Sequence, residues 1–186
     1  MKKYLILSFI LVLLMPLLVK AEELVGKCVG VADGDTCTIL VDGNERIKIR
    51  FYGIDAPESG QDFGKKAKEY CSNLIFGKEI KVISTDIDRY GRTVGKVYAD
   101  GKYINLEMVK AGLAWHFKYY SPNDSELAEA EKVARSGKLG LWVQTNPVEP
   151  REYRLANKEK IVPVDTNKIT IEGPFWVSKS GKIHNK

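Results

Sequence analysis

Arg50, Asp55 and Glu58 fall within one short run, Arg50-Phe51-Tyr52-Gly53-Ile54-Asp55-Ala56-Pro57-Glu58. A guanidinium beside two carboxylates suits a phosphate and a hard metal ion better than it suits bare solvent. Two further segments carry groups of the same kind: Asp33-Gly34-Asp35-Thr36, and Asp88-Arg89-Tyr90-Gly91-Arg92. Each alone reads as an ordinary turn or a surface ion pair, and exposed pairs contribute little. Whether the three act together depends on the elements that carry them.

Before the first run, Ile47, Ile49 and Phe51 alternate with Arg46, Lys48 and Arg50, the period of a half-buried strand. Arg50 is therefore expected on the polar face, backed by apolar neighbours. Gly53 releases the chain, and Pro57 holds Ala56 extended, so both carboxylates fall at a strand end. Upstream, Leu24 to Ala32 reads as a first strand and Thr36 to Val41 as a second, rich in β-formers. Asp33-Gly34 and Asp42-Gly43-Asn44 supply tight turns, giving an antiparallel meander.

After Pro57, the residues Phe63, Ala67, Tyr70, Cys71, Leu74 and Ile75 mark one face of a helix ended by Gly77. Glu79 to Ser84 and Thr93 to Ala99 are the fourth and fifth strands. A second helix places Ile104, Met108 and Ala111 inward. A third, capped by Asp124 or Ser125, buries Leu127, Ala130 and Ala134. Leu139-Gly140-Leu141-Trp142 packs back on the barrel. In the aromatic stretch between these helices, Trp115, Phe117 and Tyr119 are expected in the core, with His116 structural or at the rim. Five strands with a helix after the third is an OB-type order. The expected fold is α+β, mainly β: a five-stranded Greek-key barrel with about three helices.

The chain has 186 residues, enough for one domain and an appendage. Residues 1–21 read as a signal peptide, with Met1-Lys2-Lys3, an apolar run from Tyr4 to Val19 and a Val19-Lys20-Ala21 cleavage site. Residues 22–147 form the body, and 148–186 a Pro-rich, basic tail with a small hairpin around Phe175-Trp176-Val177 and Gly181. The mature chain is expected to be secreted or periplasmic, touching a membrane only if the segment stays uncleaved. The formal net charge is +5, but leader and tail hold the excess and leave the body at −1. Any nucleic-acid contact must then rest on where particular Arg and Lys residues sit. Three Cys are present; Cys37 and Cys71 fall on core-facing positions, either as buried thiols or as a bridge. Two His and no CxxC argue against zinc.

Taken in order, DGDT (Asp33–Thr36), RFYGIDAPE (Arg50–Glu58), DRYGR (Asp88–Arg92) and AGLAW (Ala111–Trp115) resemble the thermonuclease, or staphylococcal nuclease-like, family over about Val25 to Trp142. The resemblance implies a calcium-dependent hydrolase of DNA and RNA that leaves 3′-phosphate ends. It implies Asp35, Asp55 and the backbone carbonyl of Ala56 as Ca2+ ligands. Glu58 would be the general base, and Arg50 and Arg92 the phosphate clamps. Arg89, Tyr90, Lys118 and Tyr120 stand at its nucleotide-contacting positions. Three departures are visible: Ala56 where the archetype has Thr, Lys118 where it has Tyr, and a shorter Ser59–Gly64 loop, which implies a more open rim. A monomer without a stable protein partner is expected. The alternative is a silent nuclease-like module that binds nucleic acid without cutting it; such copies are expected to lose acids or arginines, and Asp35, Arg50, Asp55, Glu58 and Arg92 are all present.

Overall fold

A computed structural model describes residues 22–159, 175–177 and 183–185. The strands β1 (Glu23–Val31), β2 (Thr36–Val41) and β3 (Glu45–Phe51) form the meander, with Thr36 opposite Arg50 and Val41 opposite Glu45. After a two-residue strand β4 (Ile54–Asp55) comes helix α1 (Gly64–Ile75), then β5 (Glu79–Ile87) and β6 (Thr93–Ala99). The sheet runs β3-β2-β1-β5-β6, extended by β7 (Lys102–Tyr103). A parallel pairing of β3 with β6 closes it into a barrel. Closure removes the free edges of the five strands. The OB-type α+β expectation holds.

Sequence alternation explains the barrel's interior. Ile49, Phe51, Ile39, Cys37, Val82 and Val97 point inward and are buried. Helix α2 (Ile104–Lys110) packs on this core, and α3 (Ser125–Ser136) buries Leu127, Ala130 and Ala134, the stripe its spacing predicts. Asp124 caps α3 by accepting from the Leu127 N–H at 3.1 Å. Leu141 and Trp142, in a 3-10 turn at Gly140–Val143, pack with Trp115 and Ala134.

Several expectations change. Strand β5 runs to Ile87, three residues past Ser84, with an irregular register between Ser84 and Asp86. Helices number four among the described residues rather than about three, because Pro150–Glu159 in the expected tail forms α4. Acidic and basic side chains such as Glu152 and Lys158 hid it by weakening its apolar periodicity. The hairpin expectation holds: β9 (Phe175–Val177) pairs antiparallel with β10 (Ile183–Asn185). No Cys37–Cys71 bridge forms. Cys28, Cys37 and Cys71 are free, buried thiols, and the Cys28 Sγ–H donates to Gly30 O at 3.6 Å. Tyr119 is not a core residue; it is 80% exposed at a turn where Ser121 N–H returns to Phe117 O at 3.2 Å. Trp115 is buried and Phe117 half-buried.

The chain divides into two compact units between Pro150 and Arg151. No described helix is long and apolar enough to cross a membrane. The expected signal segment lies outside the described residues.

Candidate active site

The barrel brings Asp35, Arg50 and Asp55 to one point. Asp35 ends the β1–β2 turn, where its N–H donates to Asp33 Oδ1 at 3.0 Å. That turn can lie against the next layer because residue 34 is glycine. A Cβ there would come within 2.7 Å of Ala56 Cβ and 2.8 Å of Ala67 Cβ. The close approach lets the Ala56 N–H donate to Asp35 Oδ2 at 2.5 Å. Asp55 is fixed from the other side, since β4 pairs with β8 (Trp115–His116) and sets Asp55 opposite Trp115.

Arg50 lies between the two acids. Its Nη1 is 3.1 Å from Asp35 Oδ2, its Nη2 2.8 Å from Asp55 Oδ1, and Nη1 also donates to Ile54 O at 2.8 Å. With the Arg50 side chain 14% exposed, the planar fork is held in one orientation. Burial pushes the Asp35 carboxyl up to about 8. Arg50 acts against this, while Asp33 and Asp55 add to it. Burial is the largest cause, and Arg50 is the largest of the charge effects.

Two buried carboxylates that present hard oxygens at one point are donors a hydrated divalent cation fits. Among the described residues no group of three or more His, Cys, Asp or Glu could hold a metal ion. Asp35 and Asp55 would supply the charged donors, and the remaining positions would fall to a carbonyl such as that of Ala56, water and phosphate.

Glu58 follows Pro57 on a short loop, half-buried, with its backbone fixed at both ends. Its N–H donates to Gln61 Oε1 at 3.2 Å, and its carbonyl accepts from Gln61 N–H at 2.9 Å. A Cβ on Gly64 would sit 1.9 Å from the Glu58 carbonyl oxygen, so only glycine lets α1 start there. Gln61 also donates from Nε2 to Val148 O at 2.5 Å. The sequence reading missed Gln61. Its signal was faint: a lone amide in a polar loop.

Arg92 lies just before β6, two residues ahead of Val94, which pairs with Arg50. Its Nε donates to Asp88 Oδ2 at 2.7 Å, and Asp88 Oδ1 accepts from the N–H groups of Tyr90 and Arg92. Asp88 is partly buried, which acts to raise its carboxyl, yet these bonds hold it below the usual range. Arg89 lies over the Tyr90 ring, 4.9 Å from its centroid, and Tyr90 is 69% exposed. Lys118 and Tyr120 are exposed on a separate turn after β8, where Phe117, Tyr119 and Tyr120 form an edge-to-face aromatic group. The sequence-derived residues thus fall into four places: the Asp35–Arg50–Asp55 cluster with Ala56, the Glu58 loop, the 88–92 turn, and the turn after β8. His116 is structural, its Nε2 lying 2.9 Å from Ser121 O.

The chain is similar to known nucleases. An endonuclease of Haemophilus influenzae, called uncharacterized, is 40% identical over 84% of this chain and 88% of its own. A micrococcal nuclease of Shigella flexneri is 43% identical over 72% of this chain and 82% of its own. The staphylococcal-like nuclease CAN1 of Arabidopsis thaliana is 43% identical over 59% of this chain, a match spanning only 34% of that protein. The family described as staphylococcal nuclease homologue matches residues 48–144, just over half of the sequence and the part that carries Arg50, Asp55, Glu58 and Arg92. The chain belongs to the staphylococcal nuclease, or thermonuclease, family.

Proposed function

We propose that this protein is an exported, calcium-dependent endonuclease that hydrolyses phosphodiester bonds of DNA and RNA and leaves 3′-phosphate ends. The observation that carries the reading is Arg50. A planar guanidinium is held at 2.8 Å and 3.1 Å by two buried carboxylates. In this reading Arg50 and Arg92 hold the nonbridging oxygens of the phosphate, where negative charge grows as water attacks. Donors fixed in advance stabilise that charge more than they stabilise the ground state. Glu58 takes the proton from the attacking water, and its pinned backbone limits where the carboxylate can reach. The bond to the 5′ oxygen breaks opposite the incoming oxygen. Asp35, Asp55 and the Ala56 carbonyl would hold Ca2+, which when bound supplies a further positive charge beside the phosphate. Arg89, Tyr90, Lys118 and Tyr120 would contact the nucleotide. The acting form would be the monomer released by removal of residues 1–21.

Digestion of single-stranded DNA tests the reading. Wild type with calcium is expected to cut, and chelation to stop it. Glu58→Gln is expected to lose roughly 10²–10⁴-fold in kcat. Cleavage indifferent to chelation would remove the metal. Binding without cleavage by wild type would leave the silent-module alternative.

A further inference from the structure

The outward face of β3 and β6 carries side chains that the catalytic reading does not use. Along β3, Ile47, Ile49 and Phe51 turn inward, so Arg46, Lys48 and Arg50 share the opposite face. Along β6, Gly95, Val97 and Ala99 are buried, so Val94, Lys96 and Tyr98 share the outer face with Arg92 before them. The two strands are parallel and pair where β3 ends and β6 begins, with Arg50 beside Val94, so the second row carries on past the end of the first. Each spans about 20 Å at ~3.4 Å per residue. Arg50 lies within the first row, with Arg46 and Lys48 before it and Tyr52 after it.

Arg50 and Arg92 are paired with acids, but the other cations on this face are not. Among the described residues Arg46, Lys48 and Lys96 make no ion pair with a carboxylate. Across from β3, strand β2 offers Thr38 opposite Lys48 and Leu40 opposite Arg46, neither of them acidic. Lys96 instead lies over two rings, 5.6 Å from the Tyr52 centroid and 5.8 Å from that of Tyr103. Tyr98 stacks on Tyr103 at 5.2 Å. A basic row interleaved with aromatic rings suits a single nucleic-acid strand, whose backbone is anionic and whose bases have flat faces. The body of this chain has no overall positive charge, so such a concentration on one face is a local feature.

We propose that Arg46, Lys48 and Lys96, with the rings of Tyr52 and Tyr98, form a track for the sugar–phosphate backbone of a single-stranded substrate on both sides of the phosphate at Arg50. This rests on the nuclease reading, but the track is tested by binding rather than by cleavage. The full chain carrying Glu58→Gln is titrated into labelled single-stranded DNA and, separately, RNA, over a range of salt. Neutralising the track with Arg46→Gln, Lys48→Gln and Lys96→Gln is expected to weaken Kd about tenfold or more at low salt. The slope of log affinity against log salt should become shallower by about 2, at ~0.7 for each lost phosphate contact. A control with the same charge change on helix surfaces, Lys68→Gln with Lys110→Gln and Lys132→Gln, should keep the parent slope. Should the triple variant lose its native circular dichroism, Lys48→Gln with Lys96→Gln replaces it, with about two-thirds of the slope change. Equal slopes for track and control variants overturn the proposal. So does a loss confined to anionic phospholipid vesicles with nucleic-acid affinity unchanged. A loss of affinity as stated, while the Glu58→Gln background still cuts, supports the track and removes only the base assignment.

Discussion

Arg50 does two jobs that pull in opposite directions. As a counterion it keeps Asp35 and Asp55 tolerable inside the barrel wall; as a phosphate ligand it must give part of its fork to substrate. Removing it separates the two. Arg50→Met should leave two buried carboxylates facing each other and cost about 3–5 kcal/mol of stability without calcium. Added calcium should return part of that loss, because a cation replaces the missing charge. Urea unfolding with and without calcium measures both numbers, and equal losses in the two conditions would contradict a cation site at these acids. Arg50→Lys keeps the charge but not the fork, so it should retain more stability than Arg50→Met while losing most activity.

At the level of elements, the site depends on how tightly its loops are tied. Gly64→Ala places a methyl group 1.9 Å from the Glu58 carbonyl oxygen, so the loop must move. A displacement near 1 Å costs roughly 100-fold in rate. Rate measurements on this variant should show that loss in kcat with substrate affinity largely kept. The β5–β6 loop is tied by Asp88, whose carboxyl is held low by bonds to Arg92 and Tyr90. A lowered carboxylate contributes stability above its unfolded pKa and loses it as pH falls through the folded value. Asp88→Asn should therefore cost about 1 kcal/mol at neutral pH and little once the pH has fallen below the lowered folded value, where both proteins lack the charge. Denaturant melts at the two pH values check the sign. Asn105 is a comparable tie inside the barrel. It accepts from Val97 N–H at 3.0 Å and donates to Tyr52 O at 2.8 Å, fastening β6 to the exit of β3. Asn105→Ala should cost about 1–3 kcal/mol, because it leaves buried backbone groups unpaired.

The whole molecule combines a closed barrel with a separate C-terminal unit. The site's described residues lie in the first unit, before Pro150. Truncation after Pro150 is accordingly expected to keep cleavage within a few-fold of the full chain, and it leaves the Gln61–Val148 contact intact. A loss of more than about tenfold, over 1.4 kcal/mol in barrier, would assign the second unit a part in the reaction. Calcium should also act on the fold as a whole. A ligand that binds only the native state at a hundredfold excess over its Kd adds about 2.7 kcal/mol, so the Tm should climb with calcium concentration. A Tm that stays flat would argue against native-state binding.

The strands were legible from the sequence because a barrel wall has one wet and one dry face, and Ile47-Lys48-Ile49-Arg50-Phe51 writes that alternation directly. The acids and arginines were legible only because they recur together in a family's order; each alone reads as an ordinary turn or surface ion pair. Helix α4 and the exposure of Tyr119 were not. A charged helix has little apolar rhythm, and an aromatic ring in sequence says nothing of whether its turn faces inward. Nor could sequence say that Gln61 would fasten Glu58 or that Asn105 would join two strands, since each bond spans a fold rather than a period. Composition even argued against a basic surface, with the body at −1. Only the parallel closure of β3 on β6 set Lys96 beyond the end of the row that holds Arg46, Lys48 and Arg50, because charge adds up in space and not along the chain.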